Sequence, residues 1–306
     1  MSTPQEEQAR RNAAVLQAIG AQQPAQPEWP AQPQPPQEGD LWVPPLGPAA
    51  IDPTATAEEG AGKLSLAFWV LPDAVFGMIL ALALQVIALF GFMAAQGLKT
   101  QEDIQSLQFD PTFTLIAAPT LGIGFATMAV MRIRLLRKLP WSWFGLHLRT
   151  IGPALGWGTV AGFAFLAINF ASGLIFERLG STPDQAEQII GPFRSASSLQ
   201  LGLLGLFIVV VGPFLEELFF RGYVLRAIRQ RLGATWGIVL SGALFAAPHA
   251  LSITTGFIGL LAPIFIGGLI LGYVYQRTGN LWSCVLAHSI NNLVGFLGLL
   301  AALSLP

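Results

Sequence analysis

LQLGLLGLFIVVVGPFLEELFFRG, residues 199–222, carries no charged or amide side chain between Gln200 and Glu216 and then places two carboxylates and Arg221 side by side. A bilayer core about 30 Å thick takes about 20 apolar residues in a helix, so the stretch reads as a membrane helix with ionisable groups near one end. The same ruler marks candidate spans near 72–97, 112–132, 151–176, 199–220, 234–254, 256–275 and 281–303. The predicted fold is an all-α polytopic membrane protein, a bundle of about seven transmembrane helices behind a disordered N-terminal tail. Composition agrees: 53% of residues are hydrophobic and 11% charged, against roughly 25% charged in soluble domains. A net charge of −1 supplies no field for nucleic acid, and the lone Cys284 excludes an internal disulfide framework.

The first 62 residues form a Gln/Pro-rich segment that cannot bury enough apolar area to offset its ordering entropy. It reads as a disordered cytoplasmic tail, with QPQPP able to adopt extended polyproline for docking, and no signal peptide is evident. Residues 63–149 read as accessory membrane helices with a basic loop. Arg132, Arg134, Arg137, Lys138 and Arg149 flank one connection, and Arg221, Arg226, Arg229 and Arg231 follow the fourth span. The positive-inside bias makes both connections cytoplasmic, and the N-terminus with them. A multi-pass protein of the cell membrane is the expectation.

Ionisable side chains inside apolar spans cost about 2.5–3.5 kcal/mol each on insertion scales, which makes them functional candidates. Adjacent on a helix, Glu216 and Glu217 diverge by about 100° and do different work. Glu217 sits four residues before Arg221, the favourable order for an ion pair, which leaves Glu216 as a candidate general base or acid. Pro213 should orphan the Val209 carbonyl, kink the helix and open room for water. Two of three histidines, His249 and His288, lie within apolar spans. Pro248 precedes His249, Phe245 lies one turn before it, and Asn292 lies one turn after His288. Peptide hydrolysis needs a base for water, donors for the oxyanion and an acid for the leaving amine. Glu216 with His249 suits the water; His288 with Asn292 suits the oxyanion. No HExxH, aspartate pair or GxSxG elbow occurs in the spans, and Cys284, four residues before His288, reads as packing rather than nucleophile.

Three spacings, EExxxR at Glu216, Glu217 and Arg221, FxxxH at Phe245 and His249, and HxxxN at His288 and Asn292, occur in order on successive spans. In these the chain resembles the CPBP family of intramembrane peptidases, the CAAX proteases and bacteriocin-processing enzymes, across residues 150–306. The resemblance implies a type II CAAX prenyl endopeptidase-like core in which Glu216 and His249 activate water, His288 and Asn292 form an oxyanion hole, and Glu217 and Arg221 support the site. It implies a membrane-associated protein or peptide substrate, one with a prenylated CAAX-like end among the candidates. No cofactor is favoured. Zinc on Glu216, His249 and His288 is the alternative, and it ranks second because His288 paired with Asn292 reads as a donor pair rather than a ligand oriented by a carboxylate or backbone carbonyl. Two further readings remain: a non-catalytic scaffold or bacteriocin-immunity factor of the same fold, and a proton-coupled transporter, which the absence of hydropathy symmetry between the halves disfavours.

Overall fold

A computed structural model describes residues 65–107, 110–178, 190–252 and 257–304, and the tail expected over 1–62 lies outside them. Every secondary-structure element among the described residues is helical. Helix α1 is Leu66–Gln96 and α2 is the short Gln101–Ser106. Helix α3 is the apolar segment Pro111–Leu136, and α4 is Ile151–Arg178. Helix α5 covers 198–225, α6 is Arg226–Ala246, α7 is Phe257–Thr278 and α8 is Leu281–Ser304. Five segments among the described residues are long and apolar enough to cross a membrane: Leu66–Gln96, Pro111–Leu136, Ile151–Ile175, Ser198–Ala250 and Leu281–Ser304. The fourth of these is 53 residues long and contains both the 199–220 and the 234–254 spans of the sequence reading. The expected 256–275 span falls on α7. This is an all-α polytopic membrane fold.

The break inside Ser198–Ala250 falls at Gly233, whose φ of 84° lies in the left-handed region open to glycine without strain. A Cβ on Gly237 would come within 3.0 Å of the Arg229 Cβ, so the chain folds back on itself after the glycine instead of continuing as one rod. Helix α5 is central, packing on α3, α6 and α8. Its inner turn Phe219, Phe220, Tyr223, Val224 and Leu225 is at most 3% exposed.

Helix α5 is not uniformly α-helical. Phe207–Val211 and Phe220–Leu225 are wound as π-helix, a widening that frequently accompanies functional sites. In the first π turn Gly212 N–H donates to the Phe207 carbonyl, five residues back. The next carbonyl in that register belongs to Ile208, and its donor would be residue 213, a proline without an N–H. The orphaned acceptor is therefore Ile208, where an α-helical register had pointed to Val209.

A second correction concerns Arg132, counted from sequence among the loop bases. It is buried in α3, with Nε and Nη2 donating to both oxygens of Asp73 on α1 at 2.7 and 2.6 Å and its guanidinium 4.1 Å from the Trp69 ring. Tyr223 Oη donates to the same carboxylate at 2.7 Å. Asp73 is fully buried. Three spans are thus tied at one carboxylate, compensating the cost of ionised groups in an apolar surrounding. Tyr223→Phe removes one hydrogen bond to a charged group, so thermal unfolding in detergent should show a loss of about 1.5–3 kcal/mol. A loss under about 0.5 kcal/mol would mean that Arg132 alone satisfies Asp73.

Candidate active site

The two adjacent carboxylates separate as the helical geometry demands. Glu217 points into the bundle and is fully buried, whereas the Glu216 side chain is 27% exposed. Glu217 Oε1 accepts from Arg221 Nη1 at 3.0 Å, the i,i+4 pair expected from sequence. It also accepts from His288 Nδ1 at 3.0 Å. Arg221 is itself fully buried. Its Nη2 donates to the Gly268 carbonyl at 3.0 Å and its guanidinium lies 4.5 Å from the Phe245 ring. That reach exists because α6 and α7 approach closely at Gly242 and Gly268: a Cβ on Gly268 would sit 3.0 Å from the Gly242 Cα.

Phe245 gathers the histidines. Its ring meets His288 edge-on at 5.6 Å and His249 at 5.7 Å between centroids. Pro248 lies in a 3-10 turn, Ala247–Ser252, that ends the α-helical path of the fifth span. In that turn His249 Nδ1 donates to the Phe245 carbonyl at 3.2 Å, which leaves Nε2 as the acceptor nitrogen of the neutral ring. His249 lines a cavity of about 280 Å³ with Pro248, Leu121 and the α1 residues Met78, Leu82 and Gln85.

The ring of His288, expected from sequence to act with Asn292 on the oxyanion, is oriented by Glu217, and its Nε2 stands 3.9 Å from Glu216 Oε2. That is beyond direct hydrogen-bond reach. Nothing in the spacing announces this contact, because 71 residues separate Glu217 from His288. Asn292 Nδ2 donates at 2.9 Å to the Ile208 carbonyl, the acceptor orphaned by Pro213. Its Oδ1 accepts from Asn291 Nδ2 at 3.3 Å, and Asn291 Oδ1 accepts from Asn169 Nδ2 on α4 at 2.5 Å. This amide chain fixes which way Asn292 faces and leaves its second N–H unused by these bonds. Asn169 and Asn291 escaped the sequence reading; an amide in each of two apolar spans was the available signal.

Among the described residues no group of three or more His, Cys, Asp or Glu side chains is placed to hold a metal ion. The ground on which sequence ranked zinc second nevertheless falls away. His288 is oriented by a carboxylate and His249 by a backbone carbonyl, the partners usual for metal-ligating histidines. Each ring therefore offers an oriented Nε2 that suits either a base or a ligand. Cys284 is buried and bonds the Leu271 carbonyl at 3.3 Å, which supports its reading as packing. His147 lies outside the site, in the loop after α3. Desolvation, with Arg226 second, lowers its pKa, while its carbonyl accepts from Asn280.

Residues 198–294 match a family model described as Type II CAAX prenyl endopeptidase Rce1-like. The matched segment contains Glu216, Glu217, Arg221, Phe245, His249, His288 and Asn292, and excludes α1–α4. No curated protein and no solved structure matches the chain.

Proposed function

We propose that the chain, whose residues 198–294 match an Rce1-like family model, is a CAAX-type intramembrane protease that hydrolyses a peptide bond in a membrane-associated protein or peptide, using Glu216 to activate water. One observation carries the reading: of two adjacent carboxylates, Glu217 is locked by Arg221 and His288, while Glu216 is half-open and faces the oriented Nε2 of His288 at 3.9 Å. A water can bond both groups from the side of that gap. Glu216 takes one proton as the water oxygen bonds to the scissile carbonyl carbon, and the carbonyl electron pair moves to oxygen. The free N–H of Asn292, and a histidine ring when protonated, stabilise that oxyanion. Collapse restores the carbonyl, breaks the C–N bond and passes the proton from Glu216 to the leaving amine. The products are a new carboxyl and a new amino terminus.

The orientation proposed from the loop charges gains support from three arginine–tryptophan contacts. Arg134 lies 5.2 Å from the Trp141 ring, Arg226 4.8 Å from Trp143 and Arg277 5.7 Å from Trp157. Tryptophan belts both interfaces, so these contacts support an interfacial position for the three arginines, and it is the arginine excess there that supports the cytoplasmic side. His288 is seven residues into α8, about 10 Å along its axis from that end, so the proposed substrate bond is reached from the cytoplasmic side of the cell membrane.

The test is cleavage of lipidated and unlipidated membrane-peptide reporters by the full chain in liposomes, beside Glu216→Gln and with or without a zinc chelator. The expected result is cleavage by the parent chain, its loss in Glu216→Gln, and an unchanged rate under chelator. Zinc-reversible inhibition would instead assign Glu216, His249 and His288 to a metal. Equal rates for both proteins would overturn the assignment of Glu216.

A further inference from the structure

Helix α1 carries one amide in an otherwise apolar run. Between Asp73 and Gln96 the sequence AVFGMILALALQVIALFGFMAA holds no charged or amide side chain except Gln85. No described residue hydrogen-bonds it. An unsatisfied amide facing hydrocarbon is costly, because lipid tails neither donate nor accept. Gln85 lines two cavities at once. One, of about 280 Å³, is the cavity of His249 and Pro248; the other, of about 430 Å³, continues past Val86 toward Ile104 and Phe113. Leu82 and Gln85 line both, so the two lie next to each other along α1 with Gln85 between them. Leu82 and Val86 are 52% and 50% exposed, which opens the groove sideways toward the bilayer.

Resting on the peptidase reading above, we propose that this groove takes an extended apolar segment of the substrate, and that the Gln85 amide pairs with its backbone. A peptide group offers one N–H and one C=O, the complement of a carboxamide. An extended strand leaves these groups unpaired at every residue, whereas a membrane helix satisfies them internally. An acyl or prenyl chain filling the groove would leave Gln85 unsatisfied. The apolar walls at Met78, Leu82 and Leu121 select apolar side chains on the segment. Gln85 is thus a substrate-binding residue contributed by a helix outside the 198–294 match.

The test uses the full chain carrying Glu216→Gln, in liposomes, so that the probe stays intact. The photo-crosslinker p-benzoylphenylalanine is placed at Leu82 or, as control, at Ile87, which is 67% exposed on the same helix. The probe is a biotinylated apolar peptide, compared with the same peptide bearing N-methylated backbone amides. Labelling is expected from position 82 and not from 87. Adding Gln85→Ala should weaken labelling of the parent peptide by about 3- to 10-fold, the worth of one hydrogen bond, and weaken the N-methylated peptide less, since that peptide keeps only its carbonyls for Gln85. Equal labelling from both positions, labelling at 82 only of a second copy of this chain, or no effect of Gln85→Ala would overturn the proposal. Cleavage of the same peptide by the chain with Glu216 intact is scored separately. Labelling without cleavage counts against the peptidase reading alone, and cleavage without labelling against the groove alone.

Discussion

Glu216→Gln should lower the cleavage rate by about 10²–10⁴-fold, the usual contribution of a positioned general base. The thermal midpoint should shift by the equivalent of less than about 0.5 kcal/mol. The separation of these effects follows from geometry. The Glu216 side chain is 27% exposed and its nearest ionic neighbour, His288 Nε2, is 3.9 Å away. Exchanging carboxylate for amide therefore removes no buried ion pair. What it removes is the proton acceptor at the mouth of the site. The loss should fall on kcat and kcat/KM alike, the signature of an interaction made in the transition state. A stability loss comparable to that of a buried pair, with activity retained, would assign Glu216 to packing and favour a scaffold of the same fold.

Much of this arrangement is legible before any coordinates. Apolar run lengths locate the helices, because the bilayer fixes the span and leaves helix as the way to satisfy the backbone of a single segment. The diverging fates of Glu216 and Glu217 follow from the 100° step between them, and the Arg221 pair follows from i,i+4 spacing. Most of what spacing leaves out depends on contacts between helices far apart in sequence, and one feature, the π turn, is local. Arg132 reads as a loop charge because nothing local reveals Asp73, 59 residues away, as its partner. His288 and Asn292 read as joint oxyanion donors because both lie on one face of α8, but spacing does not show what orients them: Glu217 for the ring and the Ile208 carbonyl for the amide. The π turn that moves the orphaned carbonyl from Val209 to Ile208 is a change of register, which a count of residues back from Pro213 does not show. Tertiary context, not composition, also supplies the amide chain from Asn169 on α4 to Asn292 on α8.

The largest stability effect should come from the buried Arg221–Glu217 pair. Arg221→Ala leaves Glu217 without its closest cation and strips the Gly268 carbonyl and the Phe245 ring of their partner. Breaking one side of a buried pair costs about 3–5 kcal/mol, measurable as a fall in the thermal midpoint. Replacing both members with apolar residues, Glu217→Leu with Arg221→Met, should recover most of that loss, since no uncompensated charge remains. Activity should not recover with it. Without Glu217 nothing holds Nδ1 of His288, the ring is no longer fixed toward Glu216, and loss of such an orienting partner costs about 10–100-fold. A double variant that regains stability but not cleavage identifies Glu217 as the residue that aims His288. If stability and activity return together, the pair serves only to neutralise its own charges, and the orientation of His288 must come from its packing against Phe245.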